Sequence, residues 1–461
     1  MSIRKLELII NENEPFEGCE LNRERYADIL TSIVRSYDDG FVLAINNKWG
    51  AGKTTFVKMW EAKLKSQKYR TIYFNAWEND FEDNPLIALM GELKTLTSKT
   101  TEKKFKSVLK KASVLSKHIA PILVKAIADK YVDTNSAKEA FVEISKGITD
   151  IFENEVNQYI KKKESIQNFK NSLAKFIADT NRNVEEEIKP VVFIVDELDR
   201  CRPNYAVLIL EQIKHFFSIP NIVFVLSIDK VQLGHAICGV YGSDKIDSEE
   251  YLRRFIDIEY TIPNPEEDTY YKYLYDYFKL SNFFNESEKD DFNAISQLLF
   301  SDGNVSLRQQ EKIFALTGLS LKSFSSRVQV VPGLFLFLVF IKIMDTSFYN
   351  EFKNKKLSVE KIQHNFYNHF KNKIDDRFRH KLLFLEAYLL VFNFHFNNPN
   401  SRDRLYNYDK ETGENILSIE SIIGSEIFLG YIVDVYRSVN TLELNDYITR
   451  IDLLESVNTN N

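Results

Sequence analysis

The chain contains five short, mostly apolar runs, which are Phe41–Asn46, Thr71–Trp77, Val191–Asp196, Asn221–Asp229 and Ile256–Pro263. Continuous apolar runs of this length are typical of strands that are buried on both faces of a parallel sheet. The segments between them carry apolar residues at helical spacing, as residues 29–34 do before the first run. Strands that alternate with helices predict an α/β fold, in which helices cover both faces of a parallel sheet.

The spacing of the runs predicts an inserted segment. The second and third runs are separated by far more residues than the dozen or so that a parallel crossover needs. Few glycines and apolar steps of three and four, such as Phe141 to Phe152, predict a helical insertion over residues 95–187. Residues 1–94 and 188–265 then form the sheet domain. Residues 266–461 form a helical lid and a mostly α-helical C-terminal domain, with a loop at Phe394–Gly413.

Three longer apolar stretches raise the question of a membrane span, and they are His118–Ala128, Val330–Ile341 and Leu382–Phe396. Each is shorter than the roughly 20 residues that a spanning helix needs. We therefore expect three core helices and no transmembrane helix.

Composition excludes several classes of protein. The 461 residues are 44% hydrophobic and 27% charged, with 15 Gly and 10 Pro, which excludes a collagenous or largely disordered chain. The net charge of −6 excludes a chain that is basic overall, so any nucleic-acid surface would be local. Three cysteines without metal-ligand spacing indicate neither a disulfide framework nor a zinc site. The amino terminus lacks a secretory pattern, so we expect a cytoplasmic location.

The sharpest chemical signal is the sequence KWGAGKTT, residues 48–55, between the first apolar run and a helical segment. Glycines such as Gly50 and Gly52 let backbone N–H groups wrap around phosphate oxygens at the start of a helix. Lys53 would reach the β- and γ-phosphates, and the Thr54 hydroxyl would bind Mg²⁺. The predicted phosphate-binding residues are Asn47, Lys48, Trp49, Gly50, Ala51, Gly52, Lys53, Thr54 and Thr55.

The pattern GxxxxGK[ST] has glycine where this chain has Asn47. Asparagine tolerates a positive φ better than most residues. We therefore expect the turn at Asn47 to survive without glycine.

An acidic pair follows the third apolar run, in VVFIVDELDR. A strand that ends beside a phosphate loop supplies one carboxylate to the Mg²⁺ shell and a second that activates water. Asp196 suits the metal role and Glu197 the catalytic role. Asp199 and Arg200 fit a structural ion pair, an adenine-side contact or a subunit interface, and the sequence does not choose among these.

Three further residues are candidates for the γ-phosphate region. Asp229 ends the fourth run, where a polar side chain can lie between water and phosphate. Arg254, in EEYLRRF, would stabilise charge on the γ-phosphate in cis or from a neighbouring subunit, and Arg308 would do so as a lid arginine. Paired arginines and strand-end acids are also ordinary surface residues.

Taken together, these motifs resemble the KAP family of P-loop NTPases, a branch close to the STAND and AAA+ ATPases. The resemblance covers residues 20–310 without the insertion, and its motifs are NKWGAGKTT, FNAWENDFEDNPLIAL, VDELDRCRPNYAV, FVLSIDKVQL and EEYLRRFIDIEYTIP. It implies an ATPase whose P-loop sheet has the strand order 5-1-4-3-2, with ATP and Mg²⁺ as ligands. Lys53, Thr54, Asp196 and Glu197 match the family's phosphate, metal and catalytic positions. Bacterial members are associated with phage exclusion, so the resemblance also implies a role in defence.

Many family members carry membrane helices in the insertion, and this chain does not show them. The insertion opens with Thr101–Lys117, which has six lysines and one glutamate. Such a segment suits contact with an anionic membrane or with nucleic acid, or forms a solvated helix face. The first option would place a cytoplasmic protein peripherally at the inner membrane face.

Two functions from different classes fit these features. The first is Mg-dependent ATP hydrolysis as a conformational switch or motor, in which helical regions report the nucleotide state to a protein partner or a second copy. The alternative is an ATP-binding assembly module with negligible hydrolysis. A small-molecule phosphotransferase is disfavoured because no acceptor-binding motif is evident, and guanine specificity is disfavoured because no NKxD motif follows a strand.

Overall fold

The structure, a computed structural model of the 461-residue chain, describes residues 10–37, 39–128, 148–181, 189–216, 219–243, 245–263, 269–322, 330–398, 403–411, 413–424, 427–438 and 444–452. It divides into two compact units, one spanning Leu8–Pro263 and the other containing Asn264–Asn461.

A five-stranded parallel sheet forms the centre of the first unit. Its strands are β1 (Phe41–Asn46), β2 (Thr71–Asn75), β3 (Val191–Asp196), β4 (Ile222–Ile228) and β5 (Ile258–Thr261). They lie in the order β2-β3-β4-β1-β5, and every pairing is parallel. The predicted strand order 5-1-4-3-2 is therefore confirmed.

The helices of the first unit are α1 (Glu24–Ser36), α2 (Lys53–Ser66), α3 (Pro85–Leu93), α4 (Glu102–Ala128), α5 (Ile148–Asn181), α6 (Pro203–Phe216), α7 (Lys230–Tyr241) and α8 (Ser248–Arg253). Short 3₁₀ turns lie at Lys94–Leu96 and Leu198–Arg200.

The three central strands, β1, β3 and β4, are buried on both faces, as their continuous apolar runs predict, whereas the edge strands β2 and β5 are partly exposed. Successive residues of β1 alternate between two hydrophobic cores. Val42 and Ala44 pack with α3, α6 and α7, whereas Leu43 and Ile45 pack with α1 and α2. Because both faces are covered, the edge at the carboxyl ends of the strands is where polar side chains can gather.

β2 ends two residues earlier than the predicted Trp77. The Asn75 side-chain oxygen accepts hydrogen bonds from the backbone N–H of Trp77 at 3.1 Å and of Glu78 at 3.2 Å. This cap turns the chain away from the sheet and begins the loop of residues 76–84.

The predicted helical insertion is present as α4 and α5. Phe105 of α4 packs on Phe176 of α5 with ring centroids 5.2 Å apart, and Lys104 forms an ion pair with Asp179. Residues 141–147 of the predicted helical pattern lie outside the described residues.

The second unit is mostly helical. Its helices are α9 (Thr269–Tyr277), α10 (Glu286–Phe300), α11 (Leu307–Leu321), α12 (Pro332–Met344), α13 (Thr346–Lys353), α14 (Val359–Phe370), α15 (Arg379–Asn397), α16 (Phe428–Ser438) and α17 (Leu444–Ile451), with a 3₁₀ turn at Leu280–Asn282.

The predicted loop at Phe394–Gly413 is wrong in two respects. Helix α15 continues to Asn397, and an antiparallel hairpin follows, with strands β6 (Tyr406–Tyr408) and β7 (Asn415–Leu417). Three-residue strands are too short to show an alternating pattern, which is why the sequence did not indicate them.

Two of the three long apolar stretches are confirmed as core helices. Residues 332–341 of α12 are all buried, and so are most residues of α15 from Leu382 to Asn393. The stretch His118–Ala128 is the end of α4, and its side chains lie outside the described part of the structure. Among the described helices, none is long and apolar enough to cross a membrane.

Candidate active site

The phosphate loop connects β1 to α2, as predicted. Its two glycines, Gly50 and Gly52, have φ of 81° and 78°. Residues with a side chain are strained in this left-handed region, so the loop requires glycine at both positions. The loop leads directly into the amino terminus of α2, where anions bind well.

We expected Asn47 to replace glycine because asparagine tolerates a positive φ, and that reason is wrong. Asn47 is not among the described residues with positive φ. Instead its side chain bridges two segments, because Nδ2 donates to the carbonyl of Ile262 at 2.8 Å and Oδ1 accepts from the N–H of Lys48 at 2.8 Å. Asparagine therefore ties the start of the loop to the chain that leaves β5.

Lys53 begins α2 and is buried, with 8% of its surface exposed. Its Nζ donates to the carbonyl oxygens of Asn47 at 2.6 Å and Lys48 at 3.2 Å, so the ammonium lies on the inner side of the loop. Burial lowers the pKa of Lys53, and three nearby carboxylates oppose that shift. An anion in the loop would offset the cost of this buried charge.

Two acidic side chains hold the loop from the outside. Asp229 caps α7 through Oδ1, and its Oδ2 accepts from the backbone N–H of Trp49 at 3.1 Å. The Trp49 indole donates to Asp199 Oδ2, and burial raises the pKa of the Asp199 carboxyl. The structure therefore brings Asp229 and Asp199 to the loop, as its supports.

Asp196 belongs to a row of polar residues along the edge of the sheet where the strands have their carboxyl ends. The register places Asn75 of β2, Asp196 of β3 and Ser227 of β4 side by side. Asp196 is buried, and its carboxylate accepts from the Tyr73 hydroxyl at 2.9 Å and from the Glu197 N–H at 3.0 Å. The Ser227 hydroxyl is fully buried and has no hydrogen-bond partner among the described residues.

These residues fit a magnesium site. Mg²⁺ is usually held by one or two protein oxygens together with waters and substrate phosphates. Thr54, in the first turn of α2, and Asp196 supply a hydroxyl and a carboxylate, and the unsatisfied Ser227 hydroxyl suits a metal-bound water. The described ranges contain no cluster of three or more His, Cys, Asp or Glu side chains that could hold a metal without substrate.

Glu197 follows Asp196 in an unusual conformation. Its φ of 61° is left-handed, which is uncommon for a residue with a side chain and is often found at functional sites. Its Oε1 forms an ion pair with Arg200 Nη1 at 2.6 Å, and its Oε2 accepts from Asn75 Nδ2 at 3.4 Å. Burial raises the pKa of Glu197, and Arg200 opposes this. Of the alternatives for Arg200, the structure therefore shows an ion pair, and the partner is Glu197 rather than Asp199.

Arg254 forms no hydrogen bond or ion pair with the phosphate loop in the described part of the chain. Arg254 is exposed at the end of α8. Three residues later, Asp257 exchanges hydrogen bonds with Val42 near the start of β1, at the edge of the sheet opposite the phosphate loop. Arg308 is exposed in the first turn of α11, in the other unit.

Arg23 contacts the phosphate loop, which the sequence did not indicate. It is 4% exposed, and its guanidinium donates to the carbonyl oxygens of Ala51 at 2.9 Å and Gly52 at 3.3 Å. A contact between residues 23 and 52 is too distant in sequence for any local pattern to reveal. Tyr73 and Asn75 were also missed as partners of the acidic pair, although Asn75 lies in the FNAWE motif.

Replacing Arg23 with alanine should loosen the phosphate loop. Because hydrogen bonds from a charged donor contribute about 1.5–3 kcal/mol, we expect the free energy of unfolding to fall by about 2 kcal/mol. Urea unfolding of Arg23→Ala beside Arg25→Ala, whose exposed guanidinium lies over the Tyr26 ring, measures this. Equal unfolding midpoints for both variants and the unaltered protein would show that Arg23 does not support the loop.

Two solved structures are distantly similar to this chain. The Aeropyrum pernix ORC2 protein, solved with ADPNP and ADP, is 12% identical with a TM-score of 0.33, and the comparison covers 90% of this chain and 94% of that one. The Aeropyrum pernix ORC1 protein in complex with DNA is 12% identical with a TM-score of 0.33, covering 98% and 85%.

A comparison of sequences is more informative. An uncharacterized protein of Methanocaldococcus jannaschii, MJ0182, is 26% identical over 180 residues, covering 34% of this chain and 89% of the relative. The family described as the KAP family P-loop domain matches residues 22–321, which include the phosphate loop, the acidic pair and the whole parallel sheet. The protein therefore belongs to the KAP family of P-loop NTPases.

Proposed function

We propose that this protein binds Mg·ATP at the phosphate loop and hydrolyses it, as a conformational switch or motor. One observation carries the proposal. The buried ammonium of Lys53, the carboxylate of Asp196 and the carboxylate of Glu197 all lie at the carboxyl edge of one parallel sheet. A phosphate-binding cation beside a metal-binding acid and a second acid is the arrangement that phosphoryl transfer to water needs.

Each residue has a role in the proposed reaction. The N–H groups of Gly50 and Gly52–Thr55 bind the phosphates, and Lys53 orients the β- and γ-phosphates. Thr54 and Asp196 would hold Mg²⁺, which would neutralise charge that develops on the phosphates. Glu197 accepts a proton from the water that attacks the γ-phosphate. Asp229, which holds Trp49 and caps α7, would relay changes at the γ-phosphate to that helix.

A second copy would complete the site. Among the described residues Arg254 forms no hydrogen bond or ion pair with the phosphate loop, so it would contact the γ-phosphate of a neighbouring copy rather than its own. Arg308, as a lid residue of the helical region, would also stabilise charge on the γ-phosphate.

The test is phosphate release from ATP by the purified protein, alone and with DNA, RNA or anionic lipid vesicles. We expect Mg-dependent release and acceleration by one of these additions, which would identify the class of ligand. The vesicle arm tests the proposed peripheral location of a cytoplasmic protein through exposed lysines of α4, such as Lys103 and Lys110. If ATP bound at the loop stayed intact under all conditions, the hydrolytic proposal would be wrong.

The alternative is an ATP-binding assembly module with negligible hydrolysis. The observation that favours it is the ion pair between Glu197 and Arg200, which occupies the carboxylate that water activation needs. An ATP-dependent increase in mass by light scattering, without phosphate release, would support this alternative.

A role in phage defence rests on the family likeness alone. Plating efficiency of phage on host cells with the gene for this protein, and with the Lys53→Ala form, tests it. Equal plating efficiencies across a panel of phage would count against that role.

A further inference from the structure

Arg200 lies between the proposed catalytic carboxylate and an exposed aromatic ring. Its Nη1 is 2.6 Å from Glu197 Oε1, and its guanidinium carbon is 5.9 Å from the centre of the Trp77 ring. Arginine and tryptophan attract each other in this arrangement. The guanidinium is therefore held from two sides, and the proposed reaction uses neither contact.

The loop that carries Trp77 is held in place by several hydrogen bonds. Asn75 caps the N–H groups of Trp77 and Glu78, and the Asn79 side chain donates to the Asn75 carbonyl at 2.9 Å. Arg202 binds Asp80 through its backbone N–H and its Nε, each at 2.7 Å. Trp77 is therefore a fixed contact for Arg200, although 53% of its surface is exposed.

The ion pair between Arg200 and Glu197 involves the carboxylate that would accept a proton from the attacking water. The Glu197 side chain is 11% exposed, and both of its oxygens have partners, Arg200 on Oε1 and Asn75 on Oε2. The Asn75 contact is long at 3.4 Å, so the Arg200 contact is the stronger restraint. A carboxylate held by a guanidinium must leave it, or share an oxygen with it, before it can bind an attacking water.

We propose that Arg200 is a positioning residue that restrains Glu197, and that Trp77 keeps Arg200 in the restraining position. This inference rests on the proposed hydrolysis. The rate of hydrolysis is then set by the fraction of molecules in which Glu197 is released from Arg200. Any partner that draws the guanidinium away would accelerate turnover.

The experiment compares ATP turnover by the unaltered protein and six variants. We expect Arg200→Ala to raise kcat about tenfold and to leave KM unchanged. A tenfold rise is expected if the state with Glu197 released is populated at about 10% in the unaltered protein and becomes the major state in the variant. Trp77→Ala should raise kcat by a smaller factor, because the ion pair remains. Arg200→Lys should keep the low rate, because lysine retains the charge that pairs with Glu197.

Arg202→Ala is the matched control, since Arg202 holds the same loop without touching Glu197. A general loosening of the loop would raise kcat in Arg202→Ala as much as in Arg200→Ala, and that result would overturn the proposal. The double variant Arg200→Ala with Lys53→Ala should show no turnover, which ties the gain to the phosphate loop.

Two results separate this inference from the proposed function. If the unaltered protein hydrolyses ATP and Lys53→Ala does not, but Arg200→Ala is no faster, the restraint is wrong and the ATPase stands. If no variant releases phosphate although equilibrium dialysis shows bound ATP, both the restraint and the hydrolytic function are wrong.

Discussion

Replacing Lys53 with alanine is expected to reduce ATP turnover by at least about a hundredfold, as the loss of one preorganised donor to a developing charge does in other enzymes. Lys53 Nζ lies on the inner side of the phosphate loop, within 3.2 Å of two loop carbonyl oxygens. Alanine removes the cation that would bind the β- and γ-phosphates, so ATP affinity should fall as well. Phosphate release and equilibrium dialysis measure the two effects.

Lys65→Ala is the control for this substitution, because Lys65 lies on the same helix but is exposed and pairs with Glu61. Burial lowers the pKa of Lys53, so a phosphate bound in the loop would offset the cost of its buried charge. Turnover and affinity that match those of Lys65→Ala would show that the phosphate loop is not the ATP site.

Replacing Glu197 with glutamine should stop hydrolysis and leave ATP bound. Glutamine has the same shape but cannot accept a proton, and loss of a general base commonly slows a reaction by about 10²–10⁴-fold. The phosphate loop, Lys53 and Asp196 are unchanged, so affinity should be close to that of the unaltered protein. Chromatographic analysis of bound nucleotide after incubation should find ATP in the variant and ADP in the unaltered protein.

Glu92→Gln is the matched control for Glu197→Gln, because burial raises the pKa of Glu92 too, and Glu92 is far along the chain from the acidic pair. It should turn over ATP at the normal rate. Unchanged turnover in Glu197→Gln would remove Glu197 from the catalytic role and direct attention to other acids at the same edge, such as Asp199.

The sheet could be predicted because its central strands β1, β3 and β4 are buried on both faces, whereas its strand order came from the resemblance to the KAP family. That burial requires uninterrupted apolar runs, and β1 and β3 match their predicted bounds to the residue. Strand ends that are set by side-chain caps were harder to predict from the sequence. β2 ends where the Asn75 side chain accepts from the next two N–H groups, which is a local contact that no periodicity shows.

At the site, the sequence identified the residues that belong to motifs and missed those that support them. Lys53, Thr54, Asp196 and Glu197 follow from spacing, whereas the contact of Arg23 with Ala51 and Gly52 depends on how α1 packs. The sequence also could not choose a partner for Arg200, because an acidic residue lies both one and three positions before it. Only the left-handed backbone at Glu197 and the 3₁₀ turn that follows bring Glu197 and Arg200 together.

The measurement that tests the central claim most directly is a single turnover, in which excess protein is mixed with a small amount of γ-labelled ATP, with Mg²⁺ or with EDTA. It reports binding and chemistry in the same sample, independently of product release. The account predicts that ATP binds and that labelled phosphate appears only with Mg²⁺. Bound ATP that remains intact with Mg²⁺, or no bound ATP at all, would contradict it.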